Sequence, residues 1–340
     1  RTGIAIQMTE PETITLAACG DILLHGRYLE IAAQGRAHEV FADLEPLFAE
    51  ADLVVANMET VMAEGGRPRD DKLCLRTDPD YAEALAAADV DLLTLANNHC
   101  LDYGPEGLAE TRSHLKAAGI PVLGAGADIS EATRTVVLER KGLRIGFIAA
   151  CHESTKPAPA ATADSPGIAP LSENALFAAI DHLKPTVNHV VLLLHWGLEY
   201  AHYPTPEQAS LARRAIDRGA SAVLGHHSHA LQGIETYGGG VIAYSLANLT
   251  DADVDWQGPS KHYRAELTEV DRESVLLRLR LTRDSITALP PVPLWLDDEG
   301  RPTPAVGERA EKIQRQLADY SRRLSDSDLD AFWQDEVIRG

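Results

Sequence analysis

Short, uninterrupted apolar runs separated by helical segments constrain this chain more than any other feature. Runs at 14–19, 52–56, 91–96, 190–194 and 222–224 are too continuously apolar to alternate between a wet and a dry face. Strands of that kind belong to a mainly parallel sheet covered on both sides. Helical spacing fills the intervals. Residues 37–51 carry Val40, Phe41, Leu44, Leu47 and Phe48, and residues 81–88 are Ala-rich. Residues 106–118 follow Pro105 and close at Gly119, and Pro206–Arg218 forms a further helix. The fold class is therefore α/β.

The pattern changes after residue 130. Segments 135–139 and 143–149 flank Arg140-Lys141-Gly142 and predict a hairpin. Residues 157–170, rich in Pro, Ala and Ser, predict a long surface loop. Segments 233–237, 241–246, 274–282 and 286–289 predict a C-terminal antiparallel section. Residues 308–324 predict a polar helix, followed by an acidic tail segment. The expected organisation is an extension over 1–13, one domain over 14–300 and a helical tail over 301–340. Met8 reads as a natural start, leaving Arg1 to Gln7 as an expression remnant.

Five polar clusters sit directly after predicted strands. They are Gly20-Asp21 with His25 and Arg27, Asn57-Met58-Glu59, Asn97-Asn98-His99 with Asp102, His195-Trp196-Gly197 with Glu199-Tyr200, and Gly225-His226-His227-Ser228-His229. Strand ends along one edge of a parallel sheet open into a shared crevice, where α/β proteins bind ligands. Each cluster alone has an ordinary explanation, such as a helix cap, a turn or a core histidine. Their common placement argues for a site. His, Asp, Glu and amide oxygens are ligands for Zn, Mn, Fe, Mg or Ca, and the mixture does not select one. His227 and His229, two apart after a strand, are expected to point to the same side. Asp102, three residues from His99, is placed to orient its imidazole for acid–base work. The remaining histidines read as surface or structural.

A net charge of −20 argues against a nucleic-acid partner. It also disfavours a polyanionic polymer substrate unless a local basic pocket overrides the global field. No apolar run is long enough to span a bilayer, and no signal peptide is evident. Four widely spaced cysteines suit a reducing compartment. The expectation is a cytoplasmic protein with no membrane partner.

The same clusters resemble the CapA family of capsule and poly-γ-glutamate biosynthesis proteins. The matching stretches include Gly20-Asp21-Ile22-Leu23-Leu24, Ala56-Asn57-Met58-Glu59-Thr60, Asn97-Asn98-His99, His195-Trp196-Gly197, Gly225 to His229, and Tyr244-Ser245-Leu246-Ala247-Asn248. They come in the family's order over residues 14 to about 250. The resemblance implies a calcineurin-like four-layer α/β sandwich. It implies a divalent metal (Ca, Mn, Zn or Mg) held around Asp21, Asn57, Glu59, Asn98, His195, His227 and His229, with His99 as the acid–base residue. The sequence departs from the family in having Ser228 for the usual Pro and Ala247 for the usual Gly. The phosphoesterase signature Asp-x-His is also absent after Asp21, so one metal and two remain open.

Stand-alone members of that family include epimerases that invert the Cα of a lasso-precursor peptide's C-terminal residue. This chain resembles them, and a peptide epimerase is the expected activity. Such chemistry needs a base on each face of the Cα and stabilisation of the enolate. His99 with Asp102 forms one pair. A second joins Asp21 or Glu59 to His25, His195 or His229. Arg27, with Glu199 and Tyr200, is assigned to substrate, Arg27 for a peptide carboxylate. A metal-dependent phosphoesterase or amide hydrolase is the alternative, since the same centre would activate water.

Overall fold

The computed structural model describes residues 12–339. The expected start at Met8 and the segment preceding it lie outside the described residues. Strands β1 (Ile14–Ile22), β2 (Leu53–Met58) and β3 (Leu92–Thr94) run parallel in a first sheet. Strands β4 (Leu143–Cys151), β5 (His189–His195), β6 (Ala222–His226) and β7 (Gly240–Ala243) run parallel in a second. The predicted hairpin is present, with Val136–Arg140 antiparallel to β4.

The layering follows from the side-chain period of two. In β5, Val191 and Leu193 enter the core shared with β1 and β2. Val190, Leu192 and Leu194 enter a second core with the outer helices Glu173–Leu183 and Pro206–Arg218. Both faces of β5 are dry, which is why its sequence shows no alternation. The first sheet is backed by helices Asp80–Ala87 and Gly104–Ala117, whose Leu85, Leu108 and Leu115 share its core. Helix, sheet, sheet and helix make the four layers. Pro206–Arg218 starts with a capping box, Thr205 and Gln208 each satisfying the other's backbone N–H.

Two expectations need adjusting. Residues 37–51 form a 3₁₀ turn, Ala37–Phe41, and a one-turn helix, Glu45–Phe48. Val40, Phe41, Leu44 and Phe48 are buried as the spacing required. Pro46, however, cannot donate within a helix and clashes with the preceding turn, so it begins a new turn instead. The antiparallel section is divided between the sheets. Ile234–Tyr237 pairs antiparallel with β7 at one edge of the second sheet. β8 (Glu273–Leu281) pairs antiparallel with β1 in the first.

The acidic end of the chain is helix Asp326–Arg339. Its acidic residues mask a short apolar stripe. Leu329 is fully buried, Phe332 packs 4.6 Å from Tyr203, and the Trp333 indole donates to the Pro204 carbonyl at 2.8 Å. Among the described residues no helix is long and apolar enough to cross a membrane. If the last helix is part of the second core, Leu329→Ala should cost about 2–5 kcal/mol in urea unfolding. An unchanged midpoint would show that the helix contributes nothing to the fold.

Candidate metal centre

The C-terminal ends of the parallel strands in both sheets converge on one buried polar cluster. β1 delivers Asp21, β2 delivers Asn57 and then Glu59, the turn after β3 delivers Asn97 to Asp102, β5 delivers His195, and β6 delivers His226 to His229. Asp21 lies inside β1 rather than after it, because bulged register shifts on both sides re-aim the strand there. Gly20 permits this. A Cβ at that position would stand 1.9 Å from the Ala247 carbonyl oxygen.

Asp21, Asn57 and Glu59 have no solvent exposure, and His195 has 1%. Asn57 donates to Asp21 Oδ1 at 2.8 Å and to Glu59 Oε2 at 3.3 Å. The His227 amide donates to Asp21 Oδ2 at 2.9 Å. His195 Nε2 lies 2.9 Å from Asn98 Oδ1, 3.1 Å from His227 Nδ1 and 3.6 Å from Glu59 Oε1. His229 Nε2 lies 3.8 Å from the same Glu59 oxygen. Glu59 Oε1 itself is buried without a hydrogen-bond partner.

These groups strain one another electrostatically. Burial, and then the charge of Asp21, push the Glu59 carboxyl well above the usual carboxylate range. Burial also raises Asp21, but the hydrogen bond and charge of His226, with His195 and His229, outweigh it and hold that carboxyl well below its usual value. Burial and neighbouring imidazoles push His195 far down and His227 down to about 3. Burial opposes charge on His229 too, yet Glu59, Asp21 and Asp251 raise it to about 9.

A divalent cation fits this donor set. It would satisfy the orphaned Glu59 oxygen and favour ionised carboxyls beside neutral imidazoles. Two groups of ligand atoms lie within 4.8 Å of one another, Glu59/His195/His227 and Asp21/Glu59/His229, and they share Glu59.

Two His–Asp pairs flank the cluster. His99 Nδ1 donates to Asp102 Oδ2 at 2.6 Å, and the Leu75 amide donates to that same oxygen. Lys72 Nζ stands 3.0 Å from Asp102 Oδ1 and donates to the Asn98 carbonyl at 2.7 Å. Burial lowers the basicity of His99 despite Asp102. On another side, His25 Nε2 donates to Asp251 Oδ1 at 3.1 Å. Asp251 accepts from Asn248 Nδ2, and Asn248 Oδ1 accepts from His229 Nδ1, each at 2.8 Å. Nε2 of His229 is thereby left as the free nitrogen.

Asp21, Glu59, Asn98, His195, His227 and His229 thus meet in one place, with His99 and Asp102 beside them. Asn57 differs from expectation. The His99 amide donates to Asn97 Oδ1, so Asn97 turns its NH₂ toward Met58 O and Asn57 Oδ1. Asn57 therefore presents its N–H to the cluster, where it donates to the carboxylates of Asp21 and Glu59. His227 and His229 meet without strand alternation. Both have positive φ, 95° and 54°, in a tight turn after β6. Arg27 is turned away, donating to the Asp298 carbonyl. Exposed Glu199 can join His227 and His229 as a ligand group, and Tyr200 stands at the rim, 6.2 Å from the His229 ring.

Sequence reasoning missed four participants. His226, 3.0 Å from Asp21, was passed over inside its own motif. Asn97 lay next to a recognised residue, while Lys72 and Asp251 sit in loops with no motif to mark them.

A family described as "Bacterial capsule synthesis protein PGA_cap" matches residues 15–253. A Bacillus subtilis protein described as "PGA biosynthesis protein CapA" is 32% identical over 242 residues, 70% of this chain and 63% of its own length. A "Capsule biosynthesis protein CapA" of Bacillus anthracis is 29% identical over 92% of this chain and 74% of its own. The chain thus spans under two thirds of the Bacillus subtilis relative. In fold it is similar to a phosphatase of Mycoplasma pneumoniae, with a TM-score of 0.55 at 15% identity, over 85% of this chain and 96% of the other. That likeness supports the calcineurin-like sandwich.

Because Glu59 and His229 hold protons more tightly than usual, cation binding should displace them. Affinity for Mn²⁺ or Zn²⁺ should rise with pH up to about 9. Calorimetry in buffers of different ionisation enthalpy should detect proton release, and pH-independent binding would contradict this electrostatic account. Glu59→Gln should abolish the cation-induced rise in Tm while the metal-free protein stays folded.

Proposed function

This chain belongs to the bacterial capsule synthesis family PGA_cap, and from that premise we propose that it is a metal-dependent hydrolase acting on an amide or phosphoester bond. The observation that carries the proposal is the orphaned, fully buried Glu59 oxygen facing His195 and His229, with the His99–Asp102 pair alongside.

Asp21, Glu59, His195, His227 and His229 would hold the cation, and Asn98 offers a further oxygen. Three imidazoles suit a first-row transition metal better than Ca or Mg, which prefer all-oxygen sets. When bound, the cation supplies a Lewis acid and lowers the pKa of water. The protein supplies the rest. Asp102 fixes the proton of His99 on Nδ1, so Nε2 is the basic nitrogen. His99 can then take a proton from the attacking water and return it to the leaving group. Lys72, a cation beside both His99 and Asp102, makes the imidazolium costly and favours return of that proton. Lys156 and Glu199 line a cleft of about 370 Å³ that also contains His227, which gives a substrate a way in.

One observation favours epimerisation of a peptide Cα as a second reading. Two His–Asp pairs flank the cluster, His99–Asp102 and His25–Asp251, as a two-base reaction requires. Hydrolysis comes first because the relatives' descriptions concern capsule and PGA synthesis.

The readings separate in one experiment. The protein loaded with Mn²⁺ or Zn²⁺ is incubated with oligoglutamates and with p-nitrophenyl phosphate in D₂O. New amine or phosphate supports hydrolysis. Deuterium at Cα without cleavage supports epimerisation and overturns the first reading. His99→Ala should lower kcat about 10²–10⁴-fold with the cation still bound. Wild-type turnover in that variant would remove His99 from the mechanism.

A further inference from the structure

A second recess adjoins the frame of the two His–Asp pairs. It holds about 180 Å³ and is lined by His25, Leu29, Arg76, Tyr103 and Trp256 among others. That is less than the volume of a whole-ligand pocket, and it suits one residue-sized group. Arg76 lies half-buried with its guanidinium 5.2 Å from the Tyr103 ring centroid. Among the described residues its guanidinium makes one hydrogen bond, a long one of 3.4 Å to the Glu64 carbonyl. Among the described residues it forms no ion pair, whereas most of the other arginines do. Asp255, an acid that also lines the recess, is paired with His262 at 2.7 Å. A planar cation braced on an aromatic ring and lacking a carboxylate partner is a ready receptor for one.

We propose that this recess is a substrate subsite in which Arg76 binds a carboxylate of an acidic peptide, the hydrocarbon of that residue resting against Leu29, Tyr103 and Trp256. The assignment rests on the metal-site reading for its link to catalysis. That link is built into the chain. Arg76 follows Leu75, whose amide holds Asp102, and Tyr103 follows Asp102 directly. His25, which also lines the recess, is the partner of Asp251. A carboxylate held by Arg76 would therefore be fixed relative to both pairs. Arg27, the arginine nominated by the sequence, is engaged with the Asp298 carbonyl, whereas Arg76 lines the recess and forms no ion pair among the described residues.

Binding can be measured without turnover. Triglutamate is titrated into the metal-free protein by calorimetry, with C-terminally amidated triglutamate and triglutamine as comparisons. The wild type should bind triglutamate, and Arg76→Ala should weaken it about tenfold to a hundredfold, the range for loss of a charge-assisted hydrogen-bonded pair. Arg76→Lys should fall between, since it keeps the charge without the fork. Arg27→Ala should bind as the wild type does. Loss of affinity on amidation identifies the chain terminus as the carboxylate, and loss only with triglutamine identifies the side chain. Equal binding of all three peptides, or undiminished binding by a folded Arg76→Ala protein, would overturn the proposal. If Arg76-dependent binding persists but no cleavage occurs with metal, the hydrolase reading fails and the subsite stands.

Discussion

Asp21 and Glu59 are two carboxyls with no access to water, held at the meeting point of two sheets. Everything around them answers to that constraint. Ionised carboxylates in a dry interior are tolerated only with hydrogen bonds and countercharge. Asn57 donates to both, the His227 amide and His226 serve Asp21, and imidazoles line the remaining side. One oxygen of Glu59 is still unmatched. That oxygen is the unmatched carboxylate atom a cation would engage, while Nε2 of the buried His226 is also without a hydrogen-bond partner.

Holding that arrangement requires backbone that ordinary residues avoid. His227, His229 and Ala247 all have positive φ. Ala247, at 59°, stands where the CapA resemblance places glycine, and the left-handed geometry gives the physical reason for that preference. Gly20 and Gly225 let backbone carbonyls approach where a Cβ would meet an oxygen within 2 Å, Ala247 O at 1.9 Å and Tyr244 O at 1.8 Å. Such local costs persist only when the surrounding structure over-determines them. Here the doubly buried strands β1, β5 and β6 provide that rigidity.

The sequence carried the layers well, because the middle of a strand buried on both faces must be apolar, as residues 16–19 of β1, 53–56 of β2 and 190–194 of β5 are. It carried the convergence of the site for a related reason. Parallel strands put their C-terminal ends on one edge, so the residues after each strand had to meet. What it concealed was orientation. Nothing in the string Asn57-Met58-Glu59 reveals that Asn97 captures the Asn57 carbonyl, because that follows from a hydrogen-bond chain reaching back from the His99 amide. Arg27 was close to Asp21 in sequence, but helix Arg27–Ala33 carries it toward the loop at Asp298. Lys72 and Asp251 come from loops whose path is fixed only by tertiary packing. The last helix was hidden by its composition, since Leu329 and Trp333 are few apolar residues among many acids.

The overall charge of −20 at first argues against acidic substrates, yet the family is one of capsule and PGA synthesis. The conflict dissolves on the length scale of screening. At physiological ionic strength the Debye length is about 8 Å, so acids spread over the surface exert little force inside a recess. What a bound carboxylate meets is the nearest charge. Lys72 stands at the His99–Asp102 pair, Lys156 at the cleft beside His227, and Arg76 in the neighbouring recess. Three cations of this acidic chain are thus gathered around its candidate centre. Under the proposed function they set the sign of the local field, while the distant acids would slow the approach of a polyanion at low salt and matter little once salt is present.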